Sequence, residues 1–114
     1  MQFMALIYSS EADGDDVDFE TLIAQYTEFQ ESASAAGVLV GEGNALQPVS
    51  TATSVKLRNG KSVITDGPFA ETKEQLGGYY LFDCKSLDEA LAWAAKIPSA
   101  RYGTVEVRPV MDFE

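Results

Sequence analysis

Ionisable side chains crowd into one short segment of this chain of 114 residues. Three carboxylates and one lysine fall within nine positions: Asp66, Glu71, Lys73 and Glu74. A carboxylate beside a lysine in a partly desolvated cleft can have its pKa shifted toward neutrality and serve as a general acid or base. The segment therefore predicts acid–base chemistry by Asp66, Glu71 and Lys73. The competing interpretation is structural, with Asp66 bonding its own turn and the later charges forming a solvated connector.

Three further side chains are expected to line the same cleft. Tyr79 follows the charged segment on the next predicted strand, Tyr26 lies on the first predicted helix, and Arg108 lies on the last predicted strand. All eight basic residues lie between positions 56 and 114, whereas residues 1–55 hold nine acids and no base. The expected ligand is a small polar or anionic molecule.

Composition excludes several classes of protein and of site. Without histidine, nucleophilic catalysis by a Ser-His or Cys-His pair is excluded. The acidic run 13–18 lacks the spacing of an EF-hand, and residues 41–43 lack the rest of a dinucleotide fingerprint, so we expect no metal and no cofactor. A net charge of −10 argues against nucleic acid and anionic membrane as partners. The single Cys84 and the apolar start of the chain, which has no basic leader, indicate a cytoplasmic protein.

The order of predicted elements indicates an α+β domain spanning residues 1–114. Helical spacing of apolar residues predicts helices over about 18–36, capped by Asp16 or Asp18, and over about 86–97, opened by a Ser86–Glu89 capping box. Alternation predicts strands at 1–8, 38–46, 79–82 and 102–108. The pair Asn59-Gly60 predicts a type I′ hairpin joining 53–58 to 61–65. Glycines at 41 and 43 predict a bulge in the second strand.

Two of the predicted strands are apolar on both faces, residues 1–8 and 79–82. Two helices can cover one face of a sheet, and the uncovered apolar face must then meet another apolar surface. The simplest such surface is a second copy of the chain. We therefore expect a homodimer with a ferredoxin-like dimeric α+β barrel, an antiparallel sheet with two main helices on one face.

The charged segment also carries a resemblance. The run Asp66-Gly67-Pro68-Phe69, continuing to Tyr80, resembles the signature of the DGPF branch of the YCII-related proteins. Residues 41–48 and 105–110 resemble two other segments of that family. The resemblance implies the same dimeric barrel and an association with extracytoplasmic-function sigma factors. Some YCII-related proteins are thought to use a His-Asp pair with the histidine on the first helix, and this helix has none.

Two functions are compatible with these observations. The first is a homodimeric protein that binds a small molecule, with lyase or isomerase chemistry by carboxylate, lysine or tyrosine. The second is an accessory or regulatory protein whose acidic half contacts a basic partner such as a sigma factor. A single sequence does not discriminate between them.

Overall fold

A computed structural model describes residues 1–10 and 18–113 of the chain. Its six strands and two α-helices follow one another as β1 (Gln2–Ser9), α1 (Phe19–Ala35), β2 (Leu39–Ala45), β3 (Thr53–Arg58), β4 (Lys61–Asp66), β5 (Gln75–Asp83), α2 (Leu87–Ala94) and β6 (Thr104–Pro109). The expected cap at Asp16 lies outside the described residues. Within them, no helix is both long and apolar enough to cross a bilayer.

Four strands form an open antiparallel sheet in the order β2-β5-β1-β6. The central strand β1 pairs with β5 through Phe3 opposite Phe82 and Ala5 opposite Tyr80, and with β6 through Ala5 opposite Val107. Directly opposite residues share a face of a sheet, so these side chains form one apolar layer. All four β1 and β5 residues are buried.

Both helices cover this layer, as the sequence predicts. The core places Phe29 and Ala33 of α1 and Ala90 and Ala94 of α2 in one cluster with the buried side chains of β1 and β5. The Phe29 ring lies 5.2 Å from the Tyr80 ring and 6.5 Å from the Trp93 ring, centroid to centroid. The α+β, ferredoxin-like arrangement is therefore confirmed.

The helix ends follow local sequence signals. Helix α1 ends in a Schellman motif, since Val38 N–H donates to Ala33 O and Gly37 N–H to Ser34 O, both at 3.0 Å. Helix α2 is capped by Ser86, whose hydroxyl accepts the Glu89 N–H at 3.2 Å. It ends earlier than predicted, at Ala94, and Pro98–Arg101 forms a separate short 3-10 helix.

The second strand is irregular where the sequence predicts a bulge. Its pairing with β5 shifts between Val40 and Asn44, and Gly41 and Gly43 both have positive φ. The predicted hairpin is confirmed as well. Asn59 and Gly60 have φ of 51° and 77°, the left-handed values that a type I′ turn requires, and Val55 lies opposite Ile64.

Neither helix of the described residues lies on the other face of the four-stranded sheet. Met4 lies opposite Leu81 and Leu6 opposite Tyr79, all on the face away from the core. These four side chains are only half-buried. We call this surface the open face.

Candidate functional site

A cavity of about 440 Å³ lies between the first half of α1 and the sheet edge formed by β2 and β5. Strand β1 and the 3-10 helix Pro98–Arg101 contribute Ile7 and Ser99 to its inner end. The lining residues are Ile7, Ser9, Phe19, Leu22, Ile23, Tyr26, Thr27, Gln30, Glu42, Gly43, Asn44, Ala45, Gly77, Gly78, Tyr79, Tyr80 and Ser99. Cavities of this size commonly hold small molecules.

The apolar stripe predicted for α1 divides between the core and this cavity. Its second half, from Phe29, is buried against the sheet. In its first half, Phe19 is 72% exposed and Ile23 is 50% exposed, although both follow the same helical spacing. These two side chains line the cavity rather than the core. Apolar surface left open at the mouth of a cavity is typical of a ligand-binding site.

Close backbone packing holds the cavity wall in place. A Cβ on Gly43 would lie 2.5 Å from Cδ1 of Tyr80 and 2.6 Å from the carbonyl oxygen of Tyr79. Only glycine fits there, and its φ of 69° is also a conformation that other residues rarely adopt. The bulge in β2 therefore lets the strand backbone press directly against the two tyrosines.

Hydrogen-bonded side chains supply the polar part of the lining. The Gln30 Nε2 donates to the Tyr80 hydroxyl at 2.8 Å, which joins α1 to β5. The Tyr26 hydroxyl bonds the hydroxyl of Ser99, and Ser99 in turn lies 3.3 Å from the Tyr102 hydroxyl. These contacts fix the hydroxyls of Tyr26 and Tyr80, the two phenols at the inner part of the cavity.

At the same sheet edge, the Asn44 amide donates to the Tyr79 hydroxyl at 2.8 Å. This bond ties β2 to β5 beyond the bulge. Since Tyr79 lies opposite Leu6, its phenol belongs to the open face and not to the inner part of the cavity.

Burial raises the pKa of both inner phenols. For Tyr26 desolvation is the main cause, with the Ser99 hydrogen bond acting in the opposite direction. For Tyr80 desolvation again raises the pKa, and the hydrogen bond from Gln30 lowers it. Both phenols are therefore neutral at physiological pH. They can donate or accept hydrogen bonds, but they do not act as general bases there.

The predicted site residues are not gathered in one place. Tyr26 and Tyr79 line the cavity. Asp66 ends β4, while Glu71 and Lys73 lie on the connector to β5, and all three are exposed and outside the lining. Arg108 lies opposite Met4 on the open face. The catalytic roles of Asp66, Glu71 and Lys73 and the ligand contact of Arg108 stay predictions.

The charged connector has a clear structural component. The Thr104 hydroxyl donates to the Glu74 carboxylate at 2.8 Å, and the Gln75 amide donates to Thr72 O at 2.9 Å. These bonds tie the connector to β6 and to itself. They support the structural interpretation of the segment for Glu74.

Sequence reasoning missed Gln30, Asn44, Tyr80 and Ser99 as cavity residues. One signal was present: Leu22, Tyr26 and Gln30 recur every four positions, so two polar groups share the sheet-facing side of α1. A polar side chain on an apolar helix face needs a buried partner. The identity of that partner, Tyr80 or Ser99, depends on contacts 50 and 73 positions away.

Comparison with known proteins identifies the family. The model of the YCII-related domain matches residues 1–114. The chain belongs to the YCII-related family. It is also 49% identical over 67 residues to an uncharacterized protein of Rhizobium meliloti (strain 1021), a match that covers 57% of this chain and 54% of that protein. The matched stretch thus spans about half the length of that relative.

Proposed function

We propose that this YCII-related protein binds a small uncharged molecule in the cavity between α1 and the sheet. The observation that carries the proposal is the lining itself: apolar side chains at the mouth, and neutral hydroxyl and amide groups at the inner end. A ligand with an apolar body and one hydrogen-bonding end matches that division. The polar end would meet Tyr26, Gln30 and Tyr80.

Charge decides between an uncharged and an anionic ligand. No lysine or arginine is among the described residues that line the cavity, and its one charged side chain is the carboxylate of Glu42. An anion entering the cavity would lose hydration without gaining a cation, and an unpaired buried charge is costly. The anionic ligand expected from the sequence therefore gains no support from this lining.

Binding is the activity that the geometry supports best. The lyase or isomerase chemistry expected from the sequence needs a base held close to the ligand. Both inner tyrosines are neutral, and the one carboxylate of the lining, Glu42, is exposed on the bulge of β2. Asp66, Glu71 and Lys73 lie outside the lining. We therefore place binding ahead of turnover.

We further propose that the protein is a homodimer joined through the open face. Met4, Leu6 and Leu81 form an apolar patch there that both helices leave uncovered. Burying such a patch against its own copy removes apolar surface from water on both sides. Sedimentation velocity at micromolar concentration should show a species of twice 12.3 kDa. A monodisperse monomer would overturn this part of the proposal.

The ligand proposal can be tested with two probes that share a ring. Benzamide is neutral and offers an amide to the inner hydroxyls, whereas benzoate has the same ring and carries a negative charge at pH 7. In a ¹H–¹⁵N correlation spectrum, benzamide should shift the amide signals of Tyr26, Gln30 and Tyr80, with a dissociation constant of about 1 mM for so small a probe. Benzoate should shift them far less. Equal binding of the two probes would contradict the argument from charge.

A pair of variants on α1 locates the binding. Ile23→Trp places a large ring at the cavity mouth and should abolish the benzamide shifts. Ala24→Trp is the matched control, since Ala24 is exposed and outside the lining. Ala24→Trp should leave the benzamide shifts unchanged. Loss of binding in both variants, or in neither, would place the probe elsewhere.

A further inference from the structure

The β3–β4 hairpin, Thr53–Asp66, has two chemically different faces; we call it the arm. Its register puts Val55, Leu57 and Ile64 on one face, where they are 67%, 66% and 68% exposed. All three basic residues of the arm lie on the opposite face, with Val63: Lys56, Arg58 and Lys61. An alternation this regular shows that one side of the arm is built to be covered.

Within the described chain, nothing covers that apolar face. The strands of the arm are hydrogen-bonded to each other and to no strand of the four-stranded sheet. Eleven of their twelve residues are exposed, and Ser54 is half-buried. A two-stranded hairpin alone is marginally stable in water, so the arm needs a surface to lie on.

Phe69 is a further exposed apolar side chain, next to the base of the arm. It is 89% exposed, only three residues after β4 ends. Large aromatic side chains that are exposed in a single chain are common anchors of protein interfaces. The motif Asp66-Gly67-Pro68-Phe69 thus lies where the arm joins the body, away from the cavity.

Hydrogen bonds continue the pairing of the arm past the ends of its strands. The Gly67 N–H donates to Ala52 O at 2.7 Å, and the Ser54 hydroxyl donates to Gly67 O at 2.8 Å. Gly67 has a φ of 104°, a backbone conformation that favours glycine. The two chain segments at the base of the arm are therefore fixed to each other.

Charge indicates what covers the arm. The arm carries three cations and one carboxylate, a net charge of +2, which leaves −12 on the other hundred residues. Helix α1 alone exposes Glu20, Glu28 and Glu31. A second copy of this chain is therefore a strongly acidic body that attracts the arm at long range, over about 10 Å at moderate salt, while the three cations themselves stay on the uncovered face.

We propose that in the homodimer each arm lies across the second copy, with Val55, Leu57 and Ile64 buried against it and Phe69 anchoring the base. This inference rests on the homodimer proposed above and goes beyond it. A stable interface engages about 20–30 residues on each side, more than the few apolar side chains of the open face supply. The arm has strands about 20 Å long, enough to cross the sheet of a small domain.

Intermolecular paramagnetic broadening tests the placement of the arm. A Val63→Cys chain without ¹⁵N carries a nitroxide at position 63, on the basic face of the arm. It is mixed with ¹⁵N-labelled wild type, which carries no nitroxide. The buried Cys84 is present in both chains, so wild type treated with the same reagent is the labelling control. We expect selective broadening of wild-type amides on the body of the chain.

Sedimentation of the same mixture separates the outcomes. A dimer with selective broadening supports the proposal. A dimer without broadening overturns the placement of the arm and leaves the homodimer standing, including the case in which the arm serves a different protein. A monomer overturns both.

Two arm variants give an independent check that does not need a label. Ile64→Ser should raise the dimer dissociation constant about tenfold or more, because it removes an apolar side chain from the buried face. Val63→Ser, its neighbour on the opposite face, should change the constant by less than about threefold. The spectrum of the four-stranded sheet should stay unchanged in both. Equal effects of the two substitutions would overturn the assignment of the faces.

Discussion

Substituting Gly43 by alanine should destabilise the protein far more than the same change at Gly41. Both glycines lie in the bulge of β2, with nearly equal φ of 69° and 71°. At Gly41 nothing lies within 4 Å of the added Cβ, whereas at Gly43 the Cβ would lie 2.5 Å from Tyr80 Cδ1 and 2.6 Å from Tyr79 O. The pair therefore separates the cost of the backbone conformation from the cost of the contact.

The magnitudes follow from the geometry. A left-handed conformation costs an alanine about 1–2 kcal/mol, and both variants bear that cost. Carbon atoms prefer separations of about 3.5–4.0 Å, so at Gly43 the strands must move apart by roughly 1 Å. Overpacking of this kind costs about 1–3 kcal/mol more. Gly43→Ala should thus lose about 2–5 kcal/mol in all, and Gly41→Ala about 1–2 kcal/mol.

Urea and thermal unfolding followed by circular dichroism measure both losses. For a chain of this size, 1 kcal/mol corresponds to a Tm shift of about 4 °C. Gly43→Ala should lower the Tm by roughly 8–20 °C, and Gly41→Ala by roughly 4–8 °C. If the two variants unfold at the same temperature, β2 does not pack against Tyr79 and Tyr80, and the described packing of the cavity wall is refuted.

Three further predictions concern the arm, the phenols and the thiol. Gly60→Val should raise the exchange rates of arm amides about fivefold or more, because the turn needs positive φ, and unchanged rates would contradict the hairpin. The free energy of unfolding should fall above about pH 10, since the unfolded state loses phenol protons that Tyr26 and Tyr80 still hold when folded. Replacing both tyrosines by Phe should flatten that fall. If the variant and the wild type lose stability equally with pH, the raised pKa values of Tyr26 and Tyr80 are refuted. Burial raises the pKa of Cys84, so at pH 8 a disulfide reagent should modify the folded protein at least about tenfold more slowly than the unfolded one.

Local signals in the sequence were enough to predict the elements and their layering. Asn59-Gly60 set the hairpin register, and Gly41 with Gly43 marked the bulge of β2. The presence of two predicted helices correctly indicated a sheet with helices on one face, while the homodimer inferred from the two apolar faces of β1 stays a prediction. These features depend on neighbours in sequence or on a single period, which is why a single chain reveals them.

The cavity could not be predicted in the same way. It depends on the approach of Gly43 to Tyr80 and on the pairing of Gln30 with Tyr80, both contacts between distant parts of the chain. Crowding of charges drew attention instead to Asp66 and Lys73, which are exposed at the end of the arm and on the connector to β5. Ionisable groups that are close in sequence need not face a common cleft.

The most direct test of the central claim is a crystal structure of the protein grown with benzamide. We expect the ring between Phe19 and Ile23 and the amide within hydrogen-bonding distance of Gln30 or of the hydroxyls of Tyr26 and Tyr80. Ordered benzamide elsewhere on the chain, with the cavity between α1 and the sheet left to solvent, would contradict it.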